Sequence, residues 1–200
     1  MKIAKYVVVF SLLCLGLFLG GCSNLTRSDI PASKTWWLEP LAGERQESPA
    51  GTVTLVTLSV TVVPGLDSNR ILTLSDDAEL NRYSAARWAD NLPELVTSLV
   101  ARTMNMSGRF AVVPGESRKG PGECDLQLEL REFFAELDGS GKTTGVRVAV
   151  NGRYQCDADV PVALDLNSSV PVYSDSMSVI VAAFQEAVDE VLAALLVQVK

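Results

Sequence analysis

The feature that most constrains the fold of this chain is a pair of alternating segments placed symmetrically about Ser140. Apolar and polar side chains alternate over residues 125–130 and again over residues 146–150, with the two-residue period of half-buried strands. Glycines flank Ser140 on both sides, which is typical of a compact turn. These segments predict one long antiparallel hairpin that spans residues 124–157.

Two cysteines set the expected register of this hairpin. Cys124 and Cys156 lie sixteen residues before and sixteen residues after Ser140, so a hairpin folded about Ser140 places them opposite each other, within reach of a disulfide. Two unpaired buried thiols are the alternative. The oxidising compartment that the N-terminus predicts favours the disulfide. Phe133-Phe134 break the alternation, and we expect a bulge near them.

The N-terminal segment predicts export and lipidation. Lys2 and Lys5 precede an apolar run that ends in Leu19-Gly20-Gly21-Cys22, which is the order of an export signal with small residues at its cleavage point. The run of about 14 residues is shorter than the roughly 20 that span a bilayer, which disfavours the alternative of an uncleaved membrane helix. The last four residues resemble the lipobox of bacterial lipoproteins. This resemblance implies that Cys22 carries the lipid and is the first residue of the mature protein.

Lipidation implies a protein tethered to a membrane surface, because two or more acyl chains hold a protein on a bilayer almost irreversibly. We expect three parts: a signal peptide over residues 1–21, a lipidated flexible tether over 22–34, and a single domain over 35–200. Ser23, and not Asp, follows the lipid site. By resemblance to Gram-negative sorting rules, this favours the periplasmic face of the outer membrane.

Charge and composition exclude several classes of function. The formal net charge is −7, removal of the two lysines in the signal makes it −9, and the chain contains no histidine. An acidic exported protein is a poor candidate for binding nucleic acid. Without histidine, Ser-His-Asp and Cys-His catalysis and most zinc or copper sites are excluded. We expect no catalytic residues, no metal site and no cofactor, although chemistry by carboxylates alone or by a Ser-Lys pair stays possible.

Two local features resemble binding motifs, and we interpret both as structural. Residues 139–144 look like the tail of a phosphate-binding loop, but Glu136 stands where that motif has its first glycine, and a strand follows instead of a helix. We interpret them as a hairpin turn, with the acids Glu132, Glu136 and Asp138 solvated and without a basic partner. Membrane anchoring and ligand stacking are alternatives for the tryptophans, but a core or interface role is favoured because buried aromatics dominate packing; they are Trp36, Trp37 and Trp88.

The remaining elements predict an α+β fold: an antiparallel sheet with two main helices packed on one face, in a single domain. Apolar residues recur at three and four positions in two segments, which is the helical period. In the first of them Pro93 predicts a kink or a new start near Asn91. Asp175 or Ser176 is the expected N-cap of the second. The expected helices are 84–106 and the C-terminal segment to Val199, and the other expected strands are 52–63, 109–113 and, more weakly, 161–166.

Several segments in order resemble the ABC-type transport auxiliary lipoproteins, the PqiC-like family. They are the lipobox, Trp36-Trp37-Leu38-Glu39-Pro40, the stretch from Val62 to Ile71, the stretch from Arg87 to Leu92, and the closing helix from Tyr173 through Phe184. The likeness covers essentially the whole mature chain. It implies a non-enzymatic subunit that accompanies an ABC permease and ATPase and a periplasm-spanning MCE-domain protein.

In such systems lipids or other hydrophobic compounds move between membranes, and the resemblance implies that this chain docks the MCE protein at the outer membrane. The hairpin tip and the loop with Pro64, Leu66, Asp67 and Arg70 are the candidate partner contacts, because loops at sheet ends are available for binding. The alternatives are an outer-membrane assembly or secretion accessory lipoprotein and a periplasmic lipid-binding module. A homo-oligomer is left open.

Overall fold

The computed structural model describes residues 32–43, 53–115, 122–157 and 159–199. In this part of the chain one large sheet carries two helices on one of its faces. The strands are β1 (Lys34–Trp36), β2 (Thr54–Val62), β3 (Arg70–Ser75), β4 (Leu80–Trp88), β5 (Phe110–Pro114), β6 (Glu123–Leu137), β7 (Thr143–Cys156) and β8 (Val162–Pro171). The helices are α1 (Leu92–Met106) and α2 (Met177–Gln198). Neither helix is both long and apolar enough to cross a bilayer.

The predicted hairpin is the centre of the fold, formed by β6 and β7. Its register is the expected one over the first part of β6, where Cys124 pairs with Cys156 and Leu130 pairs with Val150. The two cysteines are joined by a disulfide, with their Cα atoms 4.0 Å apart. A bulge between Leu130 and Glu132 then shifts the register by one residue, two residues before the expected Phe133-Phe134 interruption.

The sheet is mixed, and the prediction of an antiparallel sheet was wrong on this point. On one side of β6, β7 and β8 follow in antiparallel pairs. On the other side, β2 runs parallel to the first half of β6 and β3 runs parallel to its second half. β5 pairs in parallel with β2, β4 pairs antiparallel with β3, and β1 pairs in parallel with β4. Parallel neighbours need long crossover connections, and these leave no local signal comparable to a hairpin turn.

The α+β class and the two helices on one face are confirmed, but the first helix is shorter than expected. Residues 84–88 belong to β4, and α1 begins after the N-cap Asn91, with Pro93 in its first turn. Ala86 and Trp88 are buried and Arg87 between them is exposed, so this alanine-containing segment follows the alternation of a strand. Pairing with β1, and at Arg87 also with β3, therefore overrides its local helix propensity.

Three aromatic rings form the centre of the core between sheet and helices. The ring centroids of Trp88 and Phe184 lie 5.1 Å apart, those of Trp88 and Phe133 lie 5.7 Å apart, and those of Phe133 and Phe184 lie 5.0 Å apart. All three side chains are almost fully buried, so the core role expected for Trp88 is confirmed. Trp36 packs against the same core. Trp37 does not, because 53% of its surface is exposed.

The segment after β1 crosses both helices, and we call residues 38–41 the strap. Leu38 is fully buried. The side-chain amide of Gln185 on α2 accepts a hydrogen bond from the Glu39 N–H at 2.8 Å and donates one to the Glu39 carbonyl at 2.9 Å. The Leu41 N–H donates to Thr103 Oγ1 on α1 at 3.0 Å. The strap therefore joins the N-terminal strand to the helix layer.

At Gly152 on β7, the neighbouring strand β6 comes too close to leave room for a side chain. A Cβ atom at this position would lie 2.3 Å from the Gln127 carbonyl oxygen. Because that oxygen belongs to the backbone of β6, Gly152→Ala is expected to lower the free energy of unfolding by about 3 kcal/mol. Urea denaturation followed by circular dichroism measures the change.

Gly139 at the hairpin tip provides the matched control. A Cβ atom there meets nothing within 4 Å, and Gly139→Ala is expected to change the free energy of unfolding by less than about 0.5 kcal/mol. Equal stability of the two variants would contradict the close approach of β6 and β7 at Gly152.

Candidate functional site: docking surfaces

The predicted lipid site and the loop that the family resemblance emphasises lie in different parts of the chain. Cys22 lies outside the described residues. The first strand of the domain, β1, begins at Lys34, twelve residues after Cys22. Strand β1 lies at the edge of the sheet and pairs only with β4 among the described strands. The anchor therefore joins the domain at a sheet edge.

The loop between β2 and β3 is held by its own backbone hydrogen bonds. Its Leu66 N–H donates to the Val63 carbonyl at 3.1 Å. The Asn69 carbonyl accepts the Trp88 N–H at 2.8 Å, and the Ser68 carbonyl accepts the Leu92 N–H at 3.1 Å. These bonds join the loop to the end of β4 and to the first turn of α1. The loop is therefore a fixed part of the surface.

The four residues proposed for partner contact divide by exposure. Leu66 is only 3% exposed and packs into the core. Pro64, Asp67 and Arg70 are exposed. Gly65 follows Pro64 with a φ of 99°, a left-handed conformation that glycine adopts without strain. The loop therefore presents a proline, a carboxylate and a guanidinium, while Leu66 fastens them to the domain.

The hairpin tip is the turn that the sequence predicts. One carboxylate oxygen of Asp138 accepts hydrogen bonds from the Ser140 hydroxyl at 2.7 Å, the Ser140 N–H at 2.8 Å and the Lys142 N–H at 3.0 Å. These hydrogen bonds lower the pKa of Asp138 below its ordinary value, and the bond from the Ser140 hydroxyl has the largest effect. The carboxylate thus serves the turn, and β7 follows it directly, without the helix that a phosphate-binding loop requires.

Two acids near the tip have a basic partner, contrary to the expectation that they are solvated alone. Arg147 Nε lies 3.6 Å from Glu132 Oε2, and its terminal nitrogen makes a short ion pair with Glu136. Its guanidinium also lies over the Phe134 ring, 5.9 Å from the centroid. The bulge brings Arg147 opposite Phe134, and the unshifted register of the sequence analysis did not show this pairing.

Two concavities of different character flank the sheet. The face without helices has a shallow groove of about 340 Å³ around Gly152, lined by polar side chains that include Thr61, Gln127 and Arg153. On the other face, an apolar cavity of about 30 Å³ lies between α1, α2 and the sheet. It is lined by buried side chains of the core, such as Phe133, Val148 and Leu192.

No metal-binding cluster is present in the described part of the chain, where no three His, Cys, Asp or Glu side chains come together in a suitable arrangement. The surfaces described above contain exposed loops, ion pairs and turns.

Comparison with known proteins gives one family match. The model of one protein family, described as ABC-type transport auxiliary lipoprotein component, matches residues 38–195. The match begins at the strap and ends in the last turns of α2. No curated protein matches the chain.

Solved structures show the same fold. The crystal structure of a Xanthomonas campestris protein, described under the family model DUF330, is 20% identical, with a TM-score of 0.63, and the match covers 86% of this chain and 93% of that one. A second crystal structure, of an uncharacterized protein, is 11% identical with a TM-score of 0.61, and the match covers 82% of this chain and 96% of that one. At these identities the likeness concerns the fold alone.

Proposed function

The chain belongs to the ABC-type transport auxiliary lipoprotein family, and from this membership we propose that it is the docking subunit of an MCE/ABC system that moves lipids or other hydrophobic compounds between membranes. The family places the protein among membrane-anchored periplasmic lipoproteins that assist an ABC transporter, and this is not a class of enzymes. The finer proposal names the partner, a periplasm-spanning MCE-domain protein, and the membrane, the periplasmic face of the outer membrane.

The family match carries the proposal, since it covers the domain from the strap to the last turns of α2. The structure supports a docking role by its rigidity. A disulfide joins the first residues of the central strand to the end of β7, and backbone hydrogen bonds fix the loop between β2 and β3. A partner that binds a preformed surface loses little conformational entropy in doing so. The absence of Asp after Cys22 supports the outer membrane.

We propose the exposed members of the β2–β3 loop as the contact with the MCE protein. Asp67 and Arg70 carry opposite charges within three residues, which gives this surface a charge pattern that a partner can match. Pro64 adds a rigid apolar contact, and buried Leu66 holds all three in place.

Affinity capture tests the proposal. The lipidated full-length protein, extracted in mild detergent, is expected to retain the MCE-domain protein of the same transport system. The charge reversal Asp67→Arg with Arg70→Glu is expected to weaken capture by at least about tenfold, which corresponds to about 1.4 kcal/mol. Both side chains are exposed, so the fold is expected to survive the change, and circular dichroism checks this.

Asp165 on β8 provides the control. It is exposed on the opposite edge of the sheet, and Asp165→Arg is expected to leave capture unchanged. Failure of the wild-type protein to retain the MCE partner would refute the docking role. Normal capture by the charge-reversed loop would refute the assignment of the contact to this loop.

A further inference from the structure

The charges of the sheet are distributed unevenly, and the strands nearest the anchor are basic. Strands β1, β3 and β4 together contain four basic residues and no acidic one, although acidic residues outnumber basic ones by 24 to 17 in the chain. Strand β8 at the other edge contains Asp165 and no basic residue. The basic residues are Lys34, Arg70, Arg82 and Arg87.

The basic residues next to the predicted anchor are exposed. Arg70 and Arg87 occupy directly paired positions on β3 and β4, where like charges repel each other. Among the described residues, no carboxylate forms an ion pair with Lys34, Arg70 or Arg87. The Arg87 Nε–H donates to Thr35 Oγ1 of β1, at 3.2 Å. Arg70 and Arg87 are both exposed, so these two neighbouring cations are accessible to an external anion.

Two acidic residues close to this edge in sequence contact other groups. The Glu39 carboxylate lies 4.0 Å from Arg102 of α1. The Asp90 carboxylate accepts a hydrogen bond from the Asn91 N–H, at the start of the same helix. The acidic turn between β3 and β4 lies at the end of β4 that is remote from β1, because β1 pairs with residues 86–88. None of these groups neutralises the edge formed by β1 and the end of β4.

An exposed tryptophan adjoins these cations. Trp36 packs against the core, Leu38 is fully buried, and Trp37 between them is 53% exposed. In an extended segment side chains alternate between faces, so Trp37 leaves the chain on the side of Thr35, and Lys34 leaves the edge strand on the other side, opposite Ala86. Thr35 in turn pairs with Arg87. Tryptophan concentrates at the interface between bilayer and water, where its ring lies at the level of the headgroups.

We propose that this edge patch, defined as Lys34, Trp37 and Arg87, rests on the anionic phospholipid surface to which the chain is anchored. The inference rests on the proposed lipid anchor at Cys22. Lys34 lies twelve residues after Cys22, and twelve residues of chain reach at most about 43 Å, so this edge stays within that distance of the bilayer surface. Lysine and arginine side chains are attracted to such an anionic surface. The acidic remainder of the domain then faces the periplasm.

Fluorescence quenching by brominated lipids tests the orientation. The full-length lipidated protein is reconstituted into vesicles of phosphatidylethanolamine and phosphatidylglycerol whose acyl chains carry bromine near the headgroup. Tryptophan emission of the wild-type protein is expected to be quenched, and Trp37→Phe is expected to remove most of the quenching. Trp36→Phe, a change at the adjacent packed ring, is the matched control and is expected to retain it.

The charge requirement is tested with the double variant Lys34→Gln and Arg87→Gln, which leaves Arg70 of the docking loop intact. Its quenching is expected to fall at least about twofold in the anionic vesicles, while phosphatidylcholine vesicles show the same weak quenching for both proteins. The attraction is also expected to decline in high salt, because salt screens surface charges.

Three outcomes would overturn the inference. The first is equal quenching of the Trp37→Phe and wild-type proteins. The second is no quenching in wild-type protein that floats with the vesicles, which refutes the orientation and leaves the anchor intact. The third is an unquenched Trp37 whose replacement abolishes capture of the MCE protein, which assigns the patch to that partner. A protein that does not float would refute the proposed anchor, and this inference with it.

Discussion

Replacement of Cys22 by Ser is expected to abolish acylation of the protein and to remove it from the outer membrane. In the proposed lipoprotein the Cys22 thiol forms the thioether with the lipid, and a serine hydroxyl is a far weaker nucleophile than a thiolate. Burial of an acyl chain in a bilayer contributes about 0.8 kcal/mol per CH₂. A protein without acyl chains lacks this attachment to the membrane. Incorporation of labelled palmitate is expected to fall to background, and density-gradient fractions of the outer membrane are expected to lose the protein.

Cys14 offers the matched control for this change. It is also a cysteine of the N-terminal segment, but it lies in the apolar run before the cleavage point. Cys14→Ser is expected to leave labelling and fractionation unchanged. Palmitate labelling that persists in Cys22→Ser, or that disappears in Cys14→Ser, would contradict the assignment of Cys22 as the lipid site.

Loss of the disulfide is expected to have the largest effect on the domain itself. Cys124 and Cys156 are separated by 32 residues in sequence, and closing a loop of this size stabilises a protein by about 3–4 kcal/mol in the chain-entropy estimate. The double variant Cys124→Ala with Cys156→Ala is expected to lose this amount. We choose Ala because Cys124 is only 3% exposed, and a buried serine hydroxyl adds a cost of its own.

Reduction of the wild-type protein provides the internal control. Urea denaturation of the wild-type protein in dithiothreitol is expected to show the same midpoint as the double variant. The midpoint of the variant itself is expected not to change when the reductant is added. A wild-type midpoint that does not change on reduction would show that the cysteines are unpaired thiols in the protein. That was the alternative left by the sequence.

The parts of the fold that are local in sequence could be predicted, and the parts that join distant segments could not. The β6–β7 hairpin has its signals on adjacent strands and in one turn, so symmetry about Ser140 was enough to pair Cys124 with Cys156. The direction of β2 relative to β6 depends on a crossover through β3, β4 and α1. No local pattern states that direction.

The limit of prediction from local sequence is also visible in β4. Residues 84–88 have a composition compatible with a helix, and the periodic pattern of α1 follows them directly. Their strand conformation comes from pairing of residues 86–88 with β1 and of Arg87 with β3, and β3 is an element that the sequence analysis did not include. Asn91 and Pro93 still marked the true start of α1, because capping and proline effects are local.

The candidate docking surfaces could likewise be predicted only where their signals are local in sequence. The loop from Pro64 to Arg70 could be chosen from its turn residues and from the family resemblance, but the burial of Leu66 follows from packing that only the fold defines. The pairing of Arg147 with Glu132 and Glu136 depends on the bulge in β6. Gln185 is separated from Glu39 by 146 residues, and its side-chain amide gives no sign in the sequence that it binds the strap.

The strap determines how the domain responds to tension on its anchor. A pull toward the membrane enters at Lys34 and first loads the three paired positions of β1 and β4. The next resistance is the pair of amide hydrogen bonds between Gln185 and Glu39. The covalent crosslink of the central hairpin lies beyond both, so mechanical extension is expected to peel away the first few residues of the domain while its sheet stays whole.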